Sequence, residues 1–287
     1  PCYNDWKSLF KLLNNIDNNI TVFDAEFTVL IVNDCSTEKM PKPSFDFKKI
    51  KTVDLINIKN NQGHTRCNAT GIKYLSEKTD FDYMILMDGD GEDNPDDLPL
   101  IIKNVLEKKN ISVVATREKR TEGFLFTFLY RLHKLATLIF AGKNMNFGHY
   151  SCLTKNDVLL LSSKKSLWSN FAGSAKKYIP NLCGIPTARG LRYFGPSKMP
   201  LKGLIIHSLS IISTFKYQVL VRSLLMIMIF SFVFFKINDN DIFIVINFLI
   251  TVFCTLIFIT SRRENMNEFK DCLKRIENIT SIHTNKL

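Results

Sequence analysis

The sequence of 287 residues predicts an α/β fold followed by a pair of membrane-spanning helices. Over the first 117 residues, short and almost wholly apolar runs alternate with amphipathic stretches. This alternation is typical of a mostly parallel sheet with helices on both faces. In the last third, two apolar stretches carry one charge between them and are close to the length that a bilayer requires.

The spacing of apolar residues assigns the elements of the first part in order. A helix is expected over residues 5–17, where Trp6, Leu9 and Leu13 recur at helical spacing. Pro95 suits the first turn of a later helix. The other apolar runs and amphipathic stretches predict strands over 27–32, 53–58, 83–87 and 111–116, and helices over 64–78 and 95–108.

Polar residues follow each of these predicted strands. They are Asp34, then Asn61 with Gly63, then Asp88 with Asp90, and finally Arg117. In sheets of this kind, ligands bind beyond the carboxyl ends of the strands. The sequence therefore predicts one site that is built from these strand ends.

The run Asp88-Gly89-Asp90-Gly91-Glu92-Asp93 is the strongest local signal. Two carboxylates that are one residue apart at the end of a buried strand are costly to hold without a cation. Mg²⁺ or Mn²⁺ is the expected ion, bound by a few protein oxygens while substrate phosphates complete its coordination. The alternative is an acidic turn without a metal, because Asp-Gly pairs commonly form turns.

The net charge of +11 is distributed unevenly. Residues 1–100 contain 11 Lys and Arg against 17 Asp and Glu, whereas residues 101–200 contain 17 against 4. This order suits a protein that holds a cation early in the chain and meets phosphates later, although charges on solvated faces would also produce it. No aromatic-basic RNA motif is present, so no nucleic-acid partner is expected. Seven cysteines without a C-x-x-C pair argue against a disulfide framework.

The last third predicts a membrane anchor. We expect an interfacial amphipathic segment over 201–217, a transmembrane hairpin over 218–261 and a cytoplasmic tail over 262–287. Lys and Arg flank the hairpin, which places the protein in the inner (cytoplasmic) membrane with both termini in the cytoplasm. The alternative is a helical hairpin that is buried in a soluble domain.

Several short motifs together resemble the family 2 glycosyltransferases of the GT-A fold. They occur in the order Pro1-x-Tyr3-Asn4-Asp5, Val32-Asn33-Asp34-Cys35-Ser36-Thr37, Asn61-x-Gly63-x-x-Arg66 and Asp88-Gly89-Asp90. The stretch from Arg192 to Lys198 and the two apolar helices are similar to the membrane-anchored branch of the dolichol-phosphate mannose synthase type. The resemblance covers residues 1–261 and implies a GT-A catalytic domain over 1–200. Relatives have a strand before the Pro, so the chain is expected to lack its first strand.

The resemblance implies a role for each matching residue. It assigns nucleotide-sugar binding to Pro1, Tyr3, Asp5, Asp34, Gly63, Arg66, Asp88 and Gly89. It assigns the metal to Asp88, Asp90 and Glu92, and the acceptor phosphate to Arg117, Arg131, Arg192 and Lys198. Asp88, Asp90 and Arg117 are thereby implied to be catalytic.

Asn146 departs from the family pattern, because it lies where many relatives carry an Asp that is assigned as the base. An amide cannot accept the proton that a sugar hydroxyl must lose, whereas a lipid phosphate is already anionic. Asn146 therefore favours a phosphate acceptor. Otherwise His149 replaces the base, or the enzyme is impaired.

The implied activity is metal-dependent, inverting transfer of a sugar from a nucleotide-diphospho-sugar to polyprenyl phosphate. Two alternatives remain open at this point. In the first alternative the acceptor is a lipid-linked glycan. In the second the chain is a non-catalytic relative that binds a nucleotide-sugar. The oligomeric state is not predicted by the sequence.

Overall fold

The computed structural model describes residues 1–108, 111–117, 124–196, 200–237 and 240–284. Lys198, predicted to contact the acceptor phosphate, lies outside the described residues. Arg117 is described as the last residue of a strand, and its side chain lies outside the description.

The first sheet contains three strands in the order β1-β2-β7. Their bounds are β1, Phe27–Asn33; β2, Ile50–Ile58; and β7, Ile276–Thr284. Strand β2 pairs parallel with β1 and antiparallel with β7. Helix α1 (Trp6–Ile20) buries Leu9 and Leu13 in the same core as Ile50 and Val53.

The second sheet contains four strands in the order β3-β5-β4-β6. Their bounds are β3, Tyr83–Leu86; β4, Ser112–Arg117; β5, Phe147–Thr154; and β6, Leu182–Thr187. Strand β5 is antiparallel to both of its neighbours, while β4 and β6 are parallel. The predicted α/β class is confirmed, with β5 and β7 as the antiparallel members.

Helices cover the strands of both sheets. Helix α2 (His64–Lys78) begins and ends at the residues that the sequence predicted, and its Gly71 lies against Val32 of β1. The predicted helix over 95–108 consists of a 3-10 turn, Pro95–Asp97, and then helix α3, Leu98–Glu107. The other helices of this part are α4 (Phe124–Ala136), α5 (Lys155–Ser162) and α6 (Phe171–Tyr178).

Pro1 and Cys2 lie between the carboxyl end of β1 and the loop that follows β3. The Cys2 backbone N–H donates to the Val32 carbonyl at 2.8 Å, and the Asp34 N–H donates to the Cys2 carbonyl at 2.8 Å. A Cβ atom on Gly89 would lie 2.9 Å from the carbonyl oxygen of Pro1. The backbone of these two residues therefore packs closely against both strand ends.

Two long helices follow the α/β part. Helix α7 (Leu201–Ser213) precedes α8 (Lys216–Ile237) and α9 (Asn240–Ser261). By length and composition α8 and α9 are candidate membrane spans, and only 11% of the residues in each span are buried in the protein. A core helix of a soluble protein would be mostly buried, so the exposed apolar faces favour a membrane. Helix α7 buries its second half, including Ile211 and Ile212.

Residues after the hairpin return to the first sheet. Helix α10 (Met266–Lys270) and a 3-10 turn (Cys272–Arg275) lead into β7, which pairs with β2. The segment expected to be a tail over 262–287 thus contains the edge strand of a sheet. Two register shifts interrupt the pairing of β7 with β2. A strand that is shifted in this way does not need the alternation of apolar and polar residues that an ordinary strand shows.

Candidate functional site

Asp34 and Gly63, which follow β1 and β2, are brought together as the sequence predicted. The Asp34 carboxylate accepts the backbone N–H of Gln62 at 2.6 Å and that of Gly63 at 2.8 Å. Asp34 is only 3% exposed. In this structure its carboxylate therefore fixes the loop before α2, and the backbone of Gly63 (φ +82°) has the left-handed conformation that glycine adopts without strain.

We refer to residues 88–93 as the acidic loop. The backbone N–H of Asp88 donates to the Asp93 carboxylate at 2.9 Å, and the N–H of Glu92 donates to the Asp90 carboxylate at 3.0 Å. These bonds are internal to the loop and close it into a compact turn. The turn requires a left-handed residue at Gly91, whose φ is +91°.

Residues 189–194, which we call the strap, lie across the acidic loop. The backbone N–H groups of Gly190 and Tyr193 donate to the carbonyls of Glu92 and Asp90, both at 2.9 Å. A Cβ atom on Gly91 would lie 2.6 Å from the Tyr193 ring, so the ring rests directly on this glycine. The backbone bonds and the ring contact hold the strap closely on the loop.

Two arginines of the strap neutralise carboxylates of the acidic loop. Arg192 Nη1 lies 2.6 Å from Asp90 Oδ2, and its Nη2 pairs with Asp5. Arg189 pairs with Glu92 in the same way. Arg192, expected at the acceptor phosphate, therefore bridges two residues that were expected to bind the nucleotide-sugar or its metal. This juxtaposition joins positions more than 100 residues apart in the chain.

The acidic loop concentrates negative charge in a partly buried position. Burial raises the pKa of Asp90 to about 6, and the nearby charge of Asp88 acts in the same direction. The hydrogen bond from the Glu92 N–H and the charge of Arg192 lower this pKa, but by less. The loop is therefore a site where an added cation would be stabilised.

A cluster of two histidines and one aspartate lies beside the acidic loop. His64 Nε2 is 3.3 Å from Asp88 Oδ1, and the His64 and His149 ring centroids are 4.7 Å apart. One ligand atom from each of His64, Asp88 and His149 lies within 4.8 Å of the others. Burial lowers the pKa of His64, although Asp88 opposes this, so the imidazole stays neutral and able to bind a metal.

The donor set of this cluster fits a divalent cation. Two imidazole nitrogens and a carboxylate oxygen are common ligands of Mn²⁺, Fe²⁺ and Zn²⁺. Within the described part of the chain, Asp90 and Glu92 do not join the cluster, because each is paired with an arginine. The expected metal ligands Asp88, Asp90 and Glu92 are thus not assembled as one group in this structure.

Other predicted residues lie apart from the acidic loop or at its edge. Arg66 pairs with Glu268 at 3.1 Å and lies 5.1 Å from the Trp168 ring, so it connects α2 to the segment after the hairpin. Tyr3 is 41% exposed near the end of β1, and Arg131 is exposed on α4. Asn146 is half-buried immediately before β5.

Arg189 and His64 were not predicted to be site residues, and His149 was predicted only as a substitute base. Their partners are distant in the chain, so no spacing motif marks them. The one available signal for His149 was its place inside an apolar strand, where an imidazole is unusual. His64 follows directly after Gly63 of the predicted loop motif.

Comparisons with known proteins bear on the family of the chain. Residues 1–192 match the sequence model of glycosyl transferase family 2. An undecaprenyl-phosphate 4-deoxy-4-formamido-L-arabinose transferase of Proteus mirabilis is 22% identical over 211 residues, which are 71% of this chain and 63% of that protein. An uncharacterized protein of Methanocaldococcus jannaschii is 23% identical over 161 residues, 53% of this chain and 66% of that protein. The chain thus covers somewhat less than two thirds of each relative.

Proposed function

This chain belongs to glycosyl transferase family 2 and is a glycosyltransferase, and on that premise we propose that it transfers a sugar from a nucleotide-diphospho-sugar to polyprenyl phosphate at the membrane. The observation that carries the proposal is the strap. It places arginines on the acidic loop, and only six residues separate it from α7, which leads into the hairpin. The undecaprenyl-phosphate transferase named above supports the choice of acceptor.

We assign the donor to the strand ends around the acidic loop. Asp5, Asp34, Gly63 and the acidic loop are the positions to which the family resemblance assigns donor binding. A nucleoside diphosphate is anionic, so Arg192 and Arg189 would exchange their carboxylate partners for its oxygens when the donor binds. Arginine suits this exchange because its planar fork binds carboxylate and phosphate in the same way.

The acceptor chemistry follows from the residue at the base position. A lipid phosphate attacks the anomeric carbon with an oxygen that is already anionic, so no side chain has to remove a proton. Asn146 therefore permits in-line, inverting transfer to a phosphate. We propose that Arg131, Arg117 and Lys198 attract this phosphate toward the donor.

The cation expected in this family is Mg²⁺ or Mn²⁺, and the donor set described above would hold it through Asp88. When bound, it would counter the charge of the departing nucleoside diphosphate, a form of electrostatic stabilisation that contributes strongly to such reactions. Asp90 and Glu92 would join as ligands only after their arginines had moved to the donor phosphates.

We further propose that the hairpin spans the cytoplasmic membrane with the α/β part on the cytoplasmic side. Arg222 of α8 donates to the Ile139 carbonyl at 3.1 Å. Ile139 lies in the turn Thr137–Ala141 that follows α4, and we refer to α4 and this turn together as the α4 segment. That segment exposes an apolar stripe made of Phe128, Leu132, Leu135 and Leu138. The stripe is suited to lie in the lipid interface beside the hairpin.

A second candidate acceptor is a sugar hydroxyl of a lipid-linked glycan, favoured by one observation. The His64 imidazole lies 3.3 Å from Asp88, and without a bound metal it is placed to accept a proton in place of Asn146. This reading predicts that glycan acceptors are glycosylated and that bare polyprenyl phosphate is not.

The test is a transfer assay on membranes that contain the full chain. Labelled UDP-, GDP- and dTDP-sugars are supplied with polyprenyl phosphate or with a lipid-linked glycan, with and without Mn²⁺. We expect labelled polyprenyl-phosphate sugar, its loss in Asp90→Asn, and its retention in the control Asp24→Asn, which changes an exposed carboxylate. Consumption of no donor under any condition would overturn the proposal, and labelling of the glycan alone would select the second acceptor.

A further inference from the structure

We propose that His64, Asp88 and His149 form a cation site that binds a transition metal such as Mn²⁺ in preference to Mg²⁺, with His207 placed to join it. The role of the cation in sugar transfer rests on the proposed function, whereas the binding of the cation to these residues does not. The three residues come from the start of α2, the loop after β3 and the middle of β5. Their convergence is therefore a product of the fold and not of a local turn.

The separation of the ligand atoms suits a shared ion. Bonds of about 2.0–2.3 Å to nitrogen and oxygen place neighbouring ligand atoms about 3–4 Å apart. The three atoms lie within 4.8 Å of one another, and His64 and Asp88 are already 3.3 Å apart. A closure of about 1 Å among the three ligand atoms would complete the coordination.

Neighbouring contacts hold the ligands in place. The ring of His149 stacks on Phe171 with centroids 5.7 Å apart and an angle of 27° between the planes. Its angle to the His64 ring is 77°, so the two imidazoles meet edge to face instead of stacking. Strand β5 is tied to the acidic loop region because Tyr150 donates to the Asn94 carbonyl at 3.0 Å. His149 thus has a fixed ring plane on a rigid strand.

The chemistry of the ligands determines which ion they prefer. Imidazole nitrogen suits first-row transition metals, of which Mn²⁺ is the most weakly bound, whereas Mg²⁺ binds oxygen and keeps most of its water. A cation site made only of oxygen ligands would need the carboxylates of Asp90 and Glu92. Arg192 and Arg189 already neutralise those carboxylates. Before donor binding, the nitrogen-containing cluster is therefore the better cation site.

His207 extends the cluster toward the membrane. Its ring centroid is 5.9 Å from that of His149, and it lies on α7, the helix that leads into the hairpin. A row of imidazoles therefore runs from Asp88 to a membrane-proximal helix. Coordination by His207 would draw α7 toward the donor site, so metal loading would stabilise the helix nearest to the lipid acceptor.

The experiment measures metal binding by the purified full chain in detergent. Co²⁺ is titrated and its visible absorption recorded, and Mn²⁺ binding is followed by electron paramagnetic resonance of the free ion, with Mg²⁺ as competitor. We expect a Co²⁺ spectrum typical of nitrogen ligation and at least a tenfold preference for Mn²⁺ over Mg²⁺. His64→Gln and His149→Gln should each weaken Mn²⁺ binding by about 10- to 100-fold. His207→Gln should weaken it less, and the control His133→Gln should leave it unchanged.

Three results would overturn the proposal. They are the absence of any Co²⁺ or Mn²⁺ binding, binding that survives both histidine variants, and binding that is lost only in Asp90→Asn or Glu92→Gln. The Co²⁺ spectrum of the unaltered chain does not depend on the folding of any variant. Sugar transfer that continues in a chelator would remove the role of the cation in transfer while leaving the proposed function intact. Metal binding by a chain that transfers no sugar would leave the cation site intact, so the two failures are distinguishable.

Discussion

Arg192 connects residues that the chain separates widely. Its guanidinium bridges Asp5, just before α1, and Asp90 in the acidic loop, and all three side chains are at least 80% buried. A guanidinium can do this because its donors are arranged in a rigid planar fork. Through these two charged contacts, Arg192 connects the strap to both Asp5 and the acidic loop.

Replacing Arg192 tests this connection. Arg192→Ala leaves Asp5 and Asp90 without their shared counter-charge, so we expect a loss of about 3 kcal/mol in unfolding free energy and at least a tenfold loss of transfer. Arg192→Lys keeps the charge but reaches one carboxylate, and should lie between wild type and Arg192→Ala. Thermal denaturation and the transfer assay measure both effects. Arg262→Ala removes an exposed arginine and is the control; an equal effect there would contradict the bridge.

Gly91 offers a second test at the scale of one residue. Alanine at this left-handed position carries a strain of about 1–2 kcal/mol, and its Cβ would also lie 2.6 Å from the Tyr193 ring. Gly195 has φ +67° and no atom within 4 Å of a built Cβ. We expect Gly91→Ala to lower the melting temperature and transfer more than Gly195→Ala. Equal effects would show that the strap does not rest on Gly91.

Residues at strand ends could be predicted from the sequence, but their partners could not. Asp34, Gly63 and Asp88 follow apolar runs, and the geometry of a sheet brings such positions together. Arg66 was assigned to the nucleotide by its place in a motif, yet Glu268 and Trp168 engage it from segments far along the chain. Such pairings form only in the folded protein, and the spacing of residues within a motif does not predict them.

The same contrast holds for whole elements. Helix α2 has the bounds that were expected for it, and the left-handed Gly63 ends the loop before it. Strand β7 was missed, since Ile276, Ile279 and Ile282 recur at intervals of three and the strand lies at an edge with most residues exposed. A bulged, solvated edge strand does not show the alternation by which strands are recognised.

Glu268 fastens the segment after the hairpin to the α/β part. Its carboxylate accepts the Trp168 Nε1–H at 3.0 Å and pairs with Arg66 at 3.1 Å. It also accepts from Asn265 at 3.0 Å, which holds the start of α10. One carboxylate therefore joins α2, α10 and the turn that contains Trp168.

Removing the charge of Glu268 should weaken the contact between α2, α10 and the turn that contains Trp168. In Glu268→Gln the amide keeps one acceptor but loses the charge that pairs with Arg66, so we expect a loss of about 1–2 kcal/mol in unfolding free energy. A shift of tryptophan fluorescence at low denaturant should report Trp168. The matched control is Glu277→Gln on β7, an exposed glutamate. An unchanged stability in Glu268→Gln would mean that β7 and the hairpin hold the segment without this contact.

At the scale of the whole molecule, both ends of the hairpin are tied to the same α/β part. Helix α8 follows α7, whose second half is buried, and α9 is followed by α10 and β7, which pairs with β2. Each helix has 22 residues, or about 33 Å, enough to cross the apolar core of a bilayer once. If the hairpin spans the membrane as proposed, a chain that leaves the α/β part after β6 and returns to it at β7 has both outer helix ends on one side.

This arrangement predicts which positions a membrane-impermeant maleimide can reach. In a background where Cys35, Cys183 and Cys254 are replaced, Asn238→Cys, which lies between α8 and α9 in the sequence, should react in intact cells. Glu277→Cys on β7 should react only after the cells are permeabilised, because the pairing of β7 with β2 keeps it in the α/β part. Equal labelling of both in detergent controls for intrinsic reactivity. Labelling of Glu277→Cys in intact cells would contradict the orientation. If neither position reacted before permeabilisation, the hairpin would not cross the membrane, and its exposed apolar faces would need another partner.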